Sequence, residues 1–308
     1  GLIGSETLAQ SVSSTFNNKN VGTGKTVTVN SITLSDGSNG GLASNYTIST
    51  GQTTTANIAG KALTVSGITA PNKTYDGNTN APLDVSSISY SGLVSGDDIG
   101  GSFSGTFENK NIGIGKTVTI SSSYSGVDSG NYSVTDQSST TANITTRALT
   151  VSGLTASNKT YDATTSATLD TSSVSYAGLV SGDSFSGSYT GTFNDANVGA
   201  SKLVTISSSY SGNDINNYSI TDQSSTGADI TKASPTISGL SNQSKYSDEN
   251  YTLAGVPSIS GLSISYSSDD TNVANVDSST GAVSILTTGT STITASIAAT
   301  SNYNAATA

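Results

Sequence analysis

The sequence predicts an all-β protein, built as a tandem array of small antiparallel β-sandwich domains with Greek-key connections. The first observation is a repeated block, because residues 105–146 return 86 residues later, at 191–232, with 28 identities in 42 positions. The second is the alternation of apolar residues with Ser and Thr, as in Thr117–Ile120, which is typical of half-buried antiparallel strands. The third is that Gly, Asn, Asp and Ser separate these runs, and no window has a helical period.

Residues 1–60 are predicted to be an incomplete repeat. Residues 1–16 align without gaps on residues 92–107, and residues 14–29 and 45–59 carry a third copy of the repeated block. The equivalents of residues 61–91 are missing from this first copy. An incomplete sandwich has open strand edges and an exposed inner face, which invite pairing with another strand. We expect the missing strands to come from the same longer chain, or from a neighbouring subunit by strand addition.

Residues 61–146 and 147–232 are predicted to be complete repeats with the same fold. Each opens with the strand pattern Lys/Arg-Ala-Leu-Thr-Val-Ser-Gly, in which Leu63 and Val65 share one face. The sequence passes from one repeat to the next without a Pro- or Gly-rich linker. Short linkers restrict bending between domains, so we expect an elongated, semi-rigid rod.

Residues 233–308 are predicted to be a different β-domain that is incomplete at its C-terminal end. The entry strand is retained, but the Lys-Thr-Tyr-Asp-Gly motif of residues 73–77 is replaced by Ser-Lys-Tyr-Ser-Asp at 244–248. The chain ends five residues after Tyr303, whereas a complete repeat continues 14 residues beyond Tyr132.

An Asn-Tyr dipeptide recurs near the end of every domain, with its tyrosines at Tyr46, Tyr132, Tyr218 and Tyr303. A tyrosine at the start of a late strand is typical of a tyrosine corner, in which the ring packs inside and the hydroxyl binds a nearby backbone group. The alternative is an exposed ladder of rings that binds sugars. We favour the structural interpretation because Tyr132 is in phase with Val134.

Composition excludes several classes of function. The net charge of −10, with charged residues at only 10%, argues against nucleic acid and anionic membrane surfaces as partners. The absence of Cys and His excludes thiol and imidazole chemistry and most zinc sites. No apolar run approaches the roughly 20 residues of a membrane span. The sequence has no motif that favours an enzyme, and we predict no catalytic residue and no cofactor-binding residue.

Several separated motifs keep the order that they have in a known family. The segments 73–98, 105–120 and 130–145 resemble the YDG repeat, also called MBG, which occurs in tandem in large bacterial adhesin-type exoproteins. In the second complete copy the motif is Tyr161-Asp162-Ala163, so glycine is not obligatory there. Residues 267–295 resemble a bacterial Ig-like (Big) domain. Both resemblances imply Ig-like sandwich domains that act as spacers, and rarely as enzymes.

Two kinds of site are weighed against ordinary structural roles. Asp97, Asp98, Asp269 and Asp270 are the candidates for a calcium site, but hard cations need six to eight oxygens and solvated turn residues are the default interpretation. Four lysines could form an isopeptide bond with Asn143 or Asp229, or could lie at strand ends with solvated amines. These lysines are Lys73, Lys116, Lys159 and Lys202.

The resemblance implies a stalk or spacer segment of a bacterial cell-surface or secreted adhesin or extracellular fibre. Two alternatives are a glycan- or surface-binding adhesion module and a strand-donating subunit of a polymeric fibre. The expected partners are neighbouring domains of the same longer chain or adjacent fibre subunits. Host or matrix glycans would be bound through regions outside these residues. The Ser/Thr/Asn/Gly-rich, acidic composition favours an extracellular location.

Overall fold

The computed structural model describes all 308 residues, Gly1–Ala308. The protein is all-β, as predicted, with 29 strands and three single-turn 3₁₀ helices. None of these helices has the length and apolar character that crossing a bilayer requires. The chain divides into two compact units, Gly1–Thr146 and Arg147–Ala308.

Repeat 1, residues 1–60, forms one three-stranded antiparallel sheet in the order β1-β2-β3. Its alternating Ser/Thr and Val/Ile residues give long strands, and a register shift between Ser13 and Ser14 bends the β1–β2 pair. A 3₁₀ turn at Ala43–Asn45 precedes Tyr46. The strands are β1 (Leu8–Phe16), β2 (Gly22–Asp36) and β3 (Thr53–Ile58).

Repeat 2, residues 61–146, is a complete sandwich of two sheets. One sheet has the order β10-β4-β7 and the other β5-β11-β9-β8-β6. A 3₁₀ turn at Ser129–Asn131 precedes β10. The strands are β4 (Lys61–Ser66), β5 (Lys73–Thr74), β6 (Asn80–Ala81), β7 (Ser89–Ser91), β8 (Gly100–Phe107), β9 (Gly113–Ser125), β10 (Tyr132–Thr135) and β11 (Ser139–Thr145).

The core of repeat 2 lies between its two sheets and consists of the inward-facing members of each alternating run. From the smaller sheet come Leu63 and Val65, and from the larger come Phe107, Val118 and Ile120, all buried. With no Trp in the chain, the largest fully buried side chains of repeat 2 are Tyr75, Phe107, Leu63 and Ile68, and burial of such apolar side chains drives folding.

The sheets of repeat 2 are mixed, which the prediction of antiparallel sandwiches did not include. β10 pairs in parallel with β4, and β11 pairs in parallel with β5, while β8, β9 and β11 pair antiparallel. A period of two is common to half-buried strands of either orientation. The sequence pattern therefore identifies the strands without giving their direction.

In the second unit, repeat 3 (residues 147–232) has the same plan. Its sheets have the orders β17-β12-β20 and β14-β21-β19-β18-β15, with a small extra pair, β13-β16. A 3₁₀ turn at Ile215–Asn217 precedes β20. The strands are β12 (Arg147–Ser152), β13 (Thr155–Ala156), β14 (Lys159–Thr160), β15 (Ser166–Ala167), β16 (Leu169–Asp170), β17 (Ser175–Ala177), β18 (Ser186–Phe193), β19 (Gly199–Ser211), β20 (Tyr218–Thr221) and β21 (Ser225–Thr231).

The last domain, residues 233–308, has shorter strands in three small sheets, ordered β22-β24, β23-β27-β26 and β25-β28-β29. Its buried apolar side chains include Ala233, Tyr266, Val283, Ala295 and Ile297. The strands are β22 (Ile237–Ser238), β23 (Tyr251–Thr252), β24 (Val256–Pro257), β25 (Ser265–Ser268), β26 (Ala274–Val276), β27 (Ala282–Ile285), β28 (Ile293–Ile297) and β29 (Ala306–Thr307).

Candidate functional site: the junctions between consecutive domains

Each repeat contains a hydrogen-bonded clamp built on the tyrosine of the Asn-Tyr dipeptide. The hydroxyl of Tyr132 donates to Asp97 Oδ2 at 2.6 Å and accepts the backbone N–H of Val94 at 3.0 Å. The equivalent tyrosines of repeats 1 and 3 make the same pair of bonds. They are Tyr46 with Glu6 and Ile3, and Tyr218 with Asp183 and Val180.

This arrangement agrees with the predicted tyrosine corner in that a hydroxyl binds a backbone group. Tyr218 is 7% exposed, and Tyr132 is half-buried. The added feature is the carboxylate, which fixes the turn that follows β7 in repeat 2. The hydrogen bond to Asp97 and burial of the ring raise the pKa of Tyr132 above its ordinary value, with burial the larger cause.

The asparagine of the dipeptide reaches outside its own domain. In the first unit, Asn131 Oδ1 accepts the backbone N–H of Val21 at 2.9 Å, and its Nδ2 donates to Asn20 Oδ1 at 3.4 Å. Asn20 and Val21 lie in the loop between β1 and β2 of repeat 1. The asparagine side chain thus satisfies a backbone donor of the preceding domain, at a place where Val21 is 38% exposed.

The second unit repeats this contact between repeat 3 and the last domain. Asn302 Oδ1 accepts the N–H of Val198 at 3.0 Å, and Nδ2 donates to Asn197 Oδ1 at 3.1 Å. Asn197 and Val198 lie in the β18–β19 loop, at the positions of Asn20 and Val21 in repeat 1. The same two hydrogen bonds therefore join two different pairs of domains.

The connecting strand is also fixed at each of these junctions. Only Ala59 and Gly60 separate β3 from β4, and β4 pairs in parallel with the Asn-Tyr strand from its first residue, Lys61 opposite Tyr132. In the second unit, Ala233 pairs in parallel with Tyr303 two residues after β21 ends. The chain therefore enters the ladder of the next domain with no free linker.

A lysine adds charge to the junction of the first unit. Lys19 Nζ lies 2.7 Å from both Asp97 Oδ1 and Asp128 Oδ1. The two carboxylates are 13% and 8% exposed, whereas Lys19 is 63% exposed. Hydrogen bonds to Asp128 and then Asp97 raise the pKa of Lys19, and the Lys19 ammonium is the largest cause of the lowered pKa of both carboxyls.

The junction of the second unit uses other contacts in place of this ion pair. Ala196 stands at the position of Lys19. Lys232 Nζ donates to the carbonyl of Thr300 at 2.6 Å. The rings of Tyr161 and Tyr303 meet edge to face, with centroids 5.3 Å apart. The paired asparagine bonds are common to both junctions, and the charged and aromatic contacts differ.

The lysine of the Lys-Thr-Tyr-Asp-Gly motif organises the turn that follows it. Lys73 Nζ donates to Asp76 Oδ1 at 2.8 Å and to the carbonyls of Asn78 and Asn80 at 2.9 Å each. It also lies 5.4 Å from the centre of the Phe107 ring. Lys159 of repeat 3 does the same, with Asp162, the carbonyls of Thr164 and Ser166, and Phe193.

The four calcium candidates lie in turns or at the junction. Asp97 binds Lys19 and Tyr132, and Asp98 is exposed. Asp269 accepts the N–H of Thr292 at 2.7 Å, and Asp270 accepts that of Asn272 at 3.0 Å. No three Asp, Glu, His or Cys side chains are grouped so that they could hold a metal ion.

The lysines considered for isopeptide bonds contact other groups. Lys116 Nζ donates to Asn109 Oδ1 at 2.8 Å, while Asn143 Oδ1 accepts the N–H of Gly115 at 2.7 Å. In repeat 3, Lys202 binds Asp195 at 2.7 Å, and Asp229 accepts the N–H of Ser201 at 2.7 Å. Asn143 and Asp229 therefore bind the backbone at the register shifts of the β9–β11 and β19–β21 pairs, and the lysine amines bind other side chains.

Sequence reasoning missed the junction asparagines. Asn131 and Asn302 are the first residues of the repeated Asn-Tyr dipeptide, whose recurrence is one signal that could have identified them. The recurrence of an Asn-Val or Asn-Ile pair in each hairpin loop, at Asn20, Asn111 and Asn197, was the second available signal.

The chain matches a known protein family. The family described as "YDG domain" matches residues 1–56, 59–142 and 145–226, which together exceed half of the chain. Residues 233–308 lie outside these matches, so their likeness to a bacterial Ig-like domain stays a prediction. A search of curated proteins finds no match.

Solved structures similar to this chain include cadherin ectodomains. Drosophila N-cadherin EC1-4 is 10% identical, with 99% of this chain and 83% of that chain covered and a TM-score of 0.26. Mouse cadherin-23 EC22-24 is 9% identical, with 80% and 96% covered and a TM-score of 0.26. Protocadherin gamma B2 domains 3–6 are 11% identical, with 96% and 98% covered and a TM-score of 0.24. At these scores the likeness carries no argument about this protein.

Proposed function

The chain belongs to the YDG domain family, with three tandem repeats, and from that premise we propose that it is a stalk or spacer segment of a bacterial cell-surface or secreted adhesin or extracellular fibre. In this role it has no catalytic activity, and its partners are neighbouring domains of the same kind. The location is outside the cell, which agrees with an acidic chain that has no oxidisable Cys or Met.

The observation that carries the proposal is the repeated junction. A stalk has to hold consecutive domains at a fixed orientation, and hydrogen bonds from both the connecting strand and a side-chain amide do so here. Asn131 and Asn302 each join the hairpin loop of the preceding domain to the domain that follows. A protein whose domains acted independently would not need this contact twice.

The mechanism is mechanical. Force along the chain enters repeats 2 and 3 through their first strands, which pair in parallel with the Asn-Tyr strands. The tyrosine clamp ties that strand to the turn carrying Asp97 or its equivalent. In the first unit, Asn131 also ties repeat 2 to the loop of repeat 1. The load is therefore shared among backbone and side-chain hydrogen bonds, which have to break together. Stability in such arrays is close to the sum of the repeats and their nearest-neighbour interfaces.

Two experiments test the proposal. Small-angle X-ray scattering of the 308-residue protein should give a radius of gyration well above the roughly 19 Å expected of a compact globule of this length. Antibodies raised against residues 61–232 should label intact cells, and protease added outside the cells should remove the label. A globular radius of gyration, or label that appears only after cell lysis, would contradict the proposal.

A further inference from the structure

Two tyrosine hydroxyls meet between the sheets of repeat 3. Tyr176 lies on β17 and Tyr189 on β18, and these strands belong to different sheets. The two hydroxyl oxygens are 3.0 Å apart and share a hydrogen bond. A Cβ atom at Gly187 would lie 3.0 Å from the Tyr176 oxygen and would overlap the Tyr189 hydroxyl, so this glycine leaves the space that the pair occupies. Both rings are half-buried against the apolar core, and the sandwich therefore holds two phenols head to head.

Repeat 2 has the same two rings but lacks one of the hydroxyls. Tyr90 stands at the position of Tyr176, and Phe103 stands at the position of Tyr189. A Cβ atom at Gly101, the counterpart of the glycine in repeat 3, would lie 2.8 Å from the Tyr90 hydroxyl oxygen and 2.7 Å from a ring carbon of Phe103. The two rings therefore approach the same glycine position in both repeats, and repeat 2 is an internal control for the tyrosine pair.

Tyrosine is the side chain of this protein that one-electron oxidants attack most readily. The chain has 14 Tyr and no Cys, Met, Trp or His, so the other easily oxidised types are absent. Half burial leaves Tyr176 and Tyr189 within reach of a small diffusible oxidant and shields them from the tyrosines of a second molecule. Burial, and then the hydrogen bond with Tyr176, raise the pKa of Tyr189 above its ordinary value, so this phenol keeps its proton at neutral pH.

We propose that Tyr176 and Tyr189 are a site of oxidative cross-linking, at which a one-electron oxidant driven by hydrogen peroxide joins the two rings as dityrosine. Each phenol loses one electron and one proton, and the two radicals couple through the ring carbons next to their oxygens. The hydrogen on each of these carbons then moves to the neighbouring oxygen, which restores both phenols. The protein has lost two hydrogen atoms, which reduce one molecule of hydrogen peroxide to two of water.

The contact between the hydroxyls favours this coupling, because the two oxygens of dityrosine lie on carbons adjacent to the new bond. Two phenols whose hydroxyls already touch need little movement to reach that geometry, and such orientation raises their effective concentration. The product joins β17 to β18 and so links the two sheets of repeat 3 covalently. No disulfide can do this, since the chain has no Cys. The inference does not depend on the stalk function.

The test oxidises the dilute 308-residue chain with light-activated tris(bipyridine)ruthenium(II), with persulfate in place of peroxide as the final electron acceptor. Mass spectrometry should find a monomer lighter by two hydrogen atoms, and its digest should contain Tyr176 and Tyr189 in one cross-linked peptide. Tyr189→Phe keeps the ring and removes one phenol, so the yield of cross-linked monomer should fall by about tenfold or more. Tyr246→Phe, at a ring that is 78% exposed, should leave the yield unchanged.

Repeat 2 provides a second measurement in the opposite direction. Phe103→Tyr places a hydroxyl beside that of Tyr90 and should create a second cross-link, between position 103 and Tyr90. Oxidation of the chain unfolded in urea should give neither cross-link above the level of random coupling. The proposal is overturned if the folded chain forms no cross-link within the monomer, if Tyr189→Phe or the unfolded chain gives the same yield, or if Tyr189 couples to Tyr210 instead.

Discussion

The side-chain oxygen of Asn131 accepts the backbone N–H of Val21 at 2.9 Å, across 110 residues of sequence. The same contact joins Asn302 to Val198 in the second unit. A loop amide is thereby satisfied by the domain that follows it, whether that domain is a YDG repeat or the different domain at the end of the chain. The hydrogen bond between the asparagine and the hairpin loop is thus common to both junctions, whereas the charged and aromatic contacts differ between them.

The first prediction concerns that asparagine. Asn131→Ala should make the Val21 amide exchange about fivefold faster, since a neutral hydrogen bond contributes about 1 kcal/mol. Residue-resolved hydrogen exchange of the full chain measures the effect. Asn30→Ala is the matched control, because Asn30 is exposed and pairs with Thr15 inside repeat 1. Unchanged exchange at Val21 in Asn131→Ala would show that the junction does not depend on this bond.

The second prediction concerns the tyrosine clamp. Tyr132→Phe keeps the ring and removes both the donor to Asp97 and the acceptor for Val94. We expect a loss of about 1–2 kcal/mol in the free energy of unfolding, because two partners are left unsatisfied. In urea the first transition should move down by roughly 0.5–1 M, followed by circular dichroism. The control is Tyr246→Phe, at a ring that is 78% exposed, which should leave the urea midpoint unchanged. Equal urea midpoints for the two variants would contradict the prediction.

The sequence identified the strands and the phase of Tyr132 because burial in a strand leaves a local period of two. It did not reveal the role of Asn131, because an asparagine before a turn has an adequate local explanation and its partner lies 110 residues away. Lys73 was expected to have a solvated amine. Its side chain is only 10% exposed and holds a turn together. Two of its acceptors are backbone carbonyls, and a residue pattern does not show which carbonyls a side chain will reach.

The third prediction concerns the charged junction. Lys19→Met removes the cation that lies between Asp97 and Asp128, two carboxylates that are both mostly buried. The pKa of Asp128 should rise, because Lys19 is the largest cause of its lowering and the charge of Asp97 acts in the opposite direction. Carboxyl carbon NMR shifts followed over pH report this titration. If the pKa of Asp128 is the same in Lys19→Met as in the unmodified protein, the ion pair has no electrostatic role. The control is Lys245→Met, in the last domain, which should leave the pKa of Asp128 unchanged.

The fourth prediction concerns the third position of the Tyr-Asp-Gly motif. Gly77 has a φ of +80°, and its counterpart Ala163 has a φ of +61°, a region that L-residues enter at a cost of roughly 1–2 kcal/mol. Ala163→Gly should therefore stabilise repeat 3, and Gly77→Ala should destabilise repeat 2, each by about 1 kcal/mol. Exchange of the Tyr161 and Tyr75 amides, which bind Thr231 and Thr145, separates the two repeats. Changes of the same sign in both variants would exclude backbone strain as the cause.

The fifth prediction concerns acid. Hydrogen bonds from Lys159, and then from the N–H and hydroxyl of Thr164, lower the pKa of Asp162 to about 2 from an ordinary value of 3.8. Since the folded value lies below the unfolded one, this contribution to stability is fully present above pH 3.8 and is lost as the pH falls through about 2. The Tyr161 amide, corrected for its intrinsic rate, should therefore exchange faster at pH 2.5 than at pH 5.

Two variants serve as controls. Asp162→Asn keeps an acceptor for Thr164 but has no charge to lose, so exchange of the Tyr161 amide in this variant should differ little between the two pH values. Asp98→Asn, at an exposed position of repeat 2, should behave as the unmodified protein does. An acid-induced rise at Tyr161 that persists in Asp162→Asn would place the sensitive carboxylate elsewhere in the repeat.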